Sequence, residues 1–151
     1  MDIQKYLYEK PQKTIPNEGL QLLYVGSLIQ RKGLDLLLPA LAETGDLLLP
    51  ALAKTPQDIR LWIVGEGQEK DLLQKQCTEL KISDRVEFLG YQEGEPLQKL
   101  YRTADAFVLP TREDCFGLVL LEAMCASLPI ISSKYADGAR DLVSDGENGY
   151  I

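Results

Sequence analysis

Asp114 and Glu122, two carboxylates beside the start of one helix, suit a ligand in which a sugar is joined to a phosphate. A carboxylate only accepts hydrogen bonds, which suits a hydroxyl-rich ligand. Both carboxylates fall in one stretch, Pro110-Thr111-Arg112-Glu113-Asp114-Cys115-Phe116-Gly117-Leu118-Val119-Leu120-Leu121-Glu122-Ala123-Met124. An apolar run, Ala106-Phe107-Val108-Leu109, precedes it, ends at a proline, and leads through a polar loop into an apolar helix with a glycine near its start. The unpaired N–H groups of a first helical turn and the positive end of the helix dipole make such a junction a site for phosphate. Asp114 stands just before the helix and Glu122 about one turn into it, so the two flank whatever the helix end holds. Arg31 and Lys32 lie in another loop that follows a strand, where open α/β sheets bind ligands. The chain has no histidine, so any proton transfer falls to a carboxylate or to a group outside it.

The elements that must position these residues alternate. Gln21 to Gly26, Ile59 to Val64, Arg85 to Gly90, Ala106 to Leu109 and Pro129 to Ser133 read as strands, and a further strand begins at Tyr150-Ile151. Between them lie a leucine-rich helix after Gly33, a helix from Gln68 to Leu80, a short one from Pro96 to Thr103, the apolar helix of the opening stretch, and one from Asp137 to Val143. This alternation predicts an α/β fold, a doubly wound parallel sheet of about six strands with helices on both faces. Gly65-Glu66-Gly67 permits close backbone approach, but Lys70 stands where a dinucleotide fingerprint needs its third glycine. Residues 1–19, polar and carrying Pro11 and Pro16, read as a linker, and residues 20–151 as one domain.

Asp35-Leu36-Leu37-Leu38-Pro39-Ala40-Leu41-Ala42-Glu43-Thr44-Gly45 is followed at once by a near copy over residues 46–56. An insertion of roughly three helical turns keeps an apolar face in phase, so two segments compete for one slot in the core. Pro39, Pro50 and Gly45 predict a broken or looped-out element. The first copy is the one expected in the slot, because that leaves Arg31-Lys32-Gly33 intact.

Sixteen basic against twenty-three acidic residues give a net charge of -7, which argues against nucleic acid as a partner. Cys77, Cys115 and Cys125 are odd in number and lack metal-ligand spacing, so neither a metal site nor a disulfide framework is expected. Cytoplasmic localisation is expected on the same ground. Nothing reads as a signal peptide or membrane span.

These motifs resemble the C-terminal, donor-binding half of a GT-B glycosyltransferase, of the large family 4 of retaining enzymes. The likeness rests on Tyr24-Val25-Gly26 with Arg31-Lys32-Gly33, Val64-Gly65-Glu66-Gly67, Val86-Glu87-Phe88-Leu89-Gly90-Tyr91, Pro110-Thr111 leading to Phe116-Gly117-Leu118-Val119-Leu120-Leu121-Glu122-Ala123-Met124, and Gly146-Glu147-Asn148-Gly149-Tyr150. The resemblance implies a Rossmann-like fold and transfer of a hexosyl-type sugar, with retention, from a nucleoside diphosphate sugar, UDP- or GDP-linked. It makes Asp114, Glu122 and Lys32 the catalytic set, the acidic pair having the family's spacing of seven intervening residues. Asp114, where glutamate is commoner, would bind donor-sugar hydroxyls and Glu122 the ribose hydroxyls. Backbone N–H groups of Phe116, Gly117 and Leu118 would hold the diphosphate that Lys32 neutralises. Arg31 would replace the arginine that family members often carry at the position of Ser27. Gly26, Gly65 and the backbone at Tyr91 would line the base cleft.

The resemblance also implies a partner, the missing N-terminal acceptor domain of a longer parent chain, through which any membrane contact would run. The C-terminal end looks cut, and the fragment alone is expected to be inactive, with no cofactor besides the donor substrate. Two other readings stand beside it. One is a non-catalytic nucleotide-binding or structural module organised around the duplicated helix, and the other is a GT-B-fold nucleotide-sugar epimerase.

Overall fold

The computed structural model describes residues 19–47 and 59–151. Six strands, β1 (Leu20–Val25), β2 (Ile59–Val64), β3 (Val86–Gly90), β4 (Ala106–Leu109), β5 (Ile130–Ser132) and β6 (Gly149–Tyr150), form one parallel sheet in the order β3-β2-β1-β4-β5-β6. The doubly wound parallel sheet expected from the alternation is therefore present. Its direction of winding reverses between β1 and β4, and right-handed crossovers place the helices before and after that reversal on opposite faces. Helices α1 (Leu34–Leu47) and α2 (Lys70–Glu79) follow β1 and β2, and they pack on each other. Helices α3 (Gly94–Thr103), α4 (Leu118–Cys125) and α5 (Asp137–Leu142) make the remaining connections. The strands are apolar because the core lies on both sides of the sheet: Leu23, Tyr24, Leu61, Ile63, Phe107 and Ile130 are all fully buried.

The first copy of the duplicated segment enters the helix slot directly after Arg31-Lys32-Gly33, with Leu34, Leu38 and Leu41 buried. Residues 48–56, most of the second copy, lie outside the described residues. The expected break at Pro39 and Gly45 is absent, since α1 runs continuously from Leu34 to Leu47. Packing explains why. Pro39 has no N–H for the carbonyl of Asp35 one turn earlier, and the Gln76 side-chain amide on α2 donates to that carbonyl at 2.9 Å. Near the helix end, the Thr44 hydroxyl donates to Leu41 O at 2.7 Å and accepts from Arg85 Nη2 at 3.0 Å. A glycine inside a helix costs only about 1 kcal/mol against alanine, and this anchoring offsets it. The linker expected over residues 1–19 lies outside the described residues except for Gly19.

Candidate functional site at the carboxyl edge of the sheet

The loops after β1 and β4 meet at the reversal of the sheet and are joined tightly. Gly33 has a left-handed backbone (φ 72°), and a Cβ there would stand 2.0 Å from Pro110 O. Only glycine lets the two loops approach so closely. Arg112 N donates to Arg31 O at 2.8 Å, and the buried Thr111 hydroxyl donates to Arg31 O at 3.1 Å. The Arg112 guanidinium grips Asp35 with two parallel bonds of 2.7 Å and also donates to Gln30 O at 2.6 Å. That fork holds the Asp35 carboxyl below the ordinary carboxylate range, against a smaller opposing effect of burial.

This joint brings Lys32 and Asp114 together as an ion pair, with side chains only 16% and 13% exposed. Burial pushes the Asp114 carboxyl up, but the Lys32 ammonium and the N–H groups of Phe116 and Gly117 outweigh it and hold the group below its usual value. The Asp114 backbone is fixed by the loop after β5: its N–H donates to Tyr135 O at 3.2 Å, and Asp137 N donates to its carbonyl at 2.9 Å. Gly117, left-handed at φ 62°, caps α4, which opens at Leu118. The helix end expected to hold an anion is thus directed at a carboxylate of this chain. Phe116 and Leu118 flank it, 61% and 60% exposed.

Glu122 sits apart from that pair. It is half-buried on α4 and accepts a bond of 2.8 Å from the Tyr101 hydroxyl on α3. Arg31 projects outward, its guanidinium 3.5 Å from Glu113 O. Gly26, Gly65 and Tyr91 come together in a separate cleft of about 280 Å³ shared with Val25, Ser27, Val64, Glu66 and Gln92. Gly65 (φ 139°) packs so closely that a Cβ would lie 1.9 Å from Gly26 O. Tyr91 is 69% exposed, and its hydroxyl donates to Glu93 at 2.9 Å. Below the cleft Tyr24 is fully buried, donates to Ser27 O at 3.0 Å, and is held well above its usual titration range by burial and by the charge of Asp114.

Sequence reasoning assigned no role to Arg112, Asp35, Thr111 or Tyr101. Arg112, Asp35 and Thr111 find distant partners only where the chain after β1 meets the loop after β4, and Tyr101 finds Glu122 only where α3 meets α4. The usable signal was the position of Thr111 and Arg112 in a loop already singled out.

Residues 8–151 match the family described as glycosyl transferases group 1. The chain belongs to that family. It is 32% identical over 135 residues to an uncharacterized glycosyltransferase of Methanocaldococcus jannaschii, covering 89% of this chain and 32% of the relative. Among solved structures, the pneumococcal O-GlcNAc transferase GtfA in complex with UDP and GlcNAc superposes with a TM-score of 0.79 at 26% identity, covering 96% of this chain and 26% of that one. Anabaena HepE in complex with UDP-glucose superposes with a TM-score of 0.77 at 27% identity, covering 99% and 41%. The fold of this glycosyltransferase-family chain is therefore the Rossmann-like half of GT-B enzymes, and the chain spans about a third of the length of the relatives it matches. No described helix is long and apolar enough to cross a membrane.

Proposed function

We propose that this chain binds the nucleoside diphosphate sugar, UDP- or GDP-linked, for a retaining glycosyltransferase. The observation that carries the reading is the half-buried Lys32–Asp114 pair facing the N-terminus of α4 at the reversal of the sheet. That arrangement offers an ammonium and backbone N–H groups to a diphosphate, with a carboxylate beside them for sugar hydroxyls. In this reading Lys32, aided by Arg31 and the N–H groups of Phe116, Gly117 and Leu118, stabilises the charge that grows on the departing diphosphate. Asp114 gives up its hold on Lys32 and on the N–H groups of Phe116 and Gly117 to the diphosphate and takes donor-sugar hydroxyls instead, and Glu122 takes the ribose. The base enters the cleft of Gly26 and Gly65, and meets backbone groups at Tyr91. That structural neighbours are solved with UDP or UDP-glucose supports a nucleotide as the ligand class. No metal or separate cofactor is assigned, since this chain's own groups supply the countercharge. Acceptor binding and turnover are assigned to a further domain, for which the greater length of the relatives leaves room.

Calorimetric titration of the chain with UDP, GDP and ADP tests this. One nucleotide is expected to bind selectively, and Lys32→Ala to weaken it by about 1.5–3 kcal/mol, the worth of a hydrogen bond to a charged group. A folded chain that binds none of the three, or that binds one undiminished without Lys32, overturns the assignment.

A further inference from the structure

We propose that Tyr101 is a positioning residue that sets the Glu122 carboxylate for the cis-diol of a nucleotide ribose. The inference rests on the reading of Glu122 as the ribose acceptor. Tyr101 is fully buried in the last turn of α3, and its ring stacks on Phe107 of β4 with centroids 6.0 Å apart and planes 29° from parallel. A buried phenol needs a partner, and the hydroxyl finds one in Glu122 Oε2 at 2.8 Å. Because a carboxylate only accepts, the phenol is the donor and its direction is fixed by the clamped ring.

The neighbours of Glu122 on α4, from Leu118 through Cys125, include no strong side-chain donor, so the Tyr101 hydroxyl reaches it from another helix to favour one rotamer of a long side chain. A diol bound by a wandering carboxylate bears the ordering cost at the moment of binding, whereas a carboxylate held beforehand does not. The geometry also joins two parts of the site. Helix α3 begins at Gly94, just past Tyr91 and Gln92 at the rim of the cleft, and its ten residues end beside Glu122. One short helix therefore runs from the place read as the base pocket to the carboxylate read as the ribose acceptor.

The test compares the best bound of UDP, GDP and ADP with its 2′,3′-dideoxy counterpart, on the unaltered chain, Tyr101→Phe, Glu122→Gln and the double variant. Tyr101→Phe keeps the ring and its stack, and thermal melting checks that the fold is retained. Its expected effect is a loss of about tenfold in affinity for the ribonucleotide, the low end for a hydrogen bond to a charged group, with affinity for the dideoxy ligand unchanged. In the Glu122→Gln background it should add nothing. Equal weakening of both ligands, or of neither, overturns the positioning role. If Glu122→Gln itself leaves the preference for ribose intact, the ribose assignment falls and the inference with it. If Glu122→Gln abolishes that preference and Tyr101→Phe does not, only the inference falls.

Discussion

Two neighbouring parts of the sheet's carboxyl edge are built in different ways. Between the loops of β1 and β4 the joint is made by charged side chains, Lys32 with Asp114 and Arg112 with Asp35. Between the loops of β1 and β2 the cleft is shaped by backbone, with Gly65 packed on Gly26 and Gly67 on Leu28. A ligand entering the first must exchange charged partners, whereas one entering the second meets walls that already exist. On the proposed reading the first takes the sugar diphosphate, a charged guest. The second suits a flat ring read by backbone groups.

The backbone side should be the less forgiving. Gly65→Ala forces a Cβ against Gly26 O at 1.9 Å in a backbone region that side chains avoid. The expected loss is about 2–4 kcal/mol, the sum of positive-φ strain and an overpacked contact, read as a lower urea midpoint at unchanged slope. A midpoint like that of the unaltered chain would mean that the loops are not packed as described.

On the charged side the two partners should not be equal. Asp114→Ala removes the Lys32 pair and also strips Phe116 and Gly117 of their acceptor, with an expected cost of about 2 kcal/mol. Lys32→Ala leaves the carboxylate those N–H groups, so its cost should be nearer 1 kcal/mol. Equal losses would show that the helix end contributes nothing. Acid sharpens the same contrast. Asp114 and Asp35 are held below the ordinary carboxylate value in the native state, so the unfolded chain binds more protons there. Their contribution is complete above that value and is lost as pH falls through the lower native-state pKa values. Urea midpoints between pH 7 and pH 3 should therefore drop less for Asp114→Asn than for the unaltered chain.

The cleft was easier to read from sequence than the joint, for a physical reason. Gly26, Gly65 and Tyr91 each end a strand or follow one directly, and in a parallel sheet the ends of neighbouring strands must come together. The first four strands were legible as apolar runs closed by glycine or proline, and α3 differs from expectation only in opening at Gly94 rather than Pro96, since proline is tolerated in a first turn. The joint depends on long-range register. Nothing local says that Arg112 meets Asp35, that Tyr101 meets Glu122, or that the carbonyl freed by Pro39 is served by Gln76. The continuous α1 shows the same limit: local breakers predict an interruption, and contacts from α2 and Arg85 remove the need for it.

The mildest prediction is also the sharpest test of a backbone-built cleft. Among the described residues Tyr91 is the most exposed of the large apolar side chains, and its hydroxyl is bound to Glu93, a local partner two residues on. If the base is read by backbone groups beside Gly65, Tyr91→Phe removes only that local bond, and nucleotide affinity should stay as it is. Calorimetric titration of the variant measures this directly. A substantial loss would place the phenol itself on the ligand, and the cleft would then depend on side chains much as the joint does. Unchanged affinity, together with the loss expected for Lys32→Ala, would put discrimination of the base in the chain's backbone and recognition of phosphate in its charges.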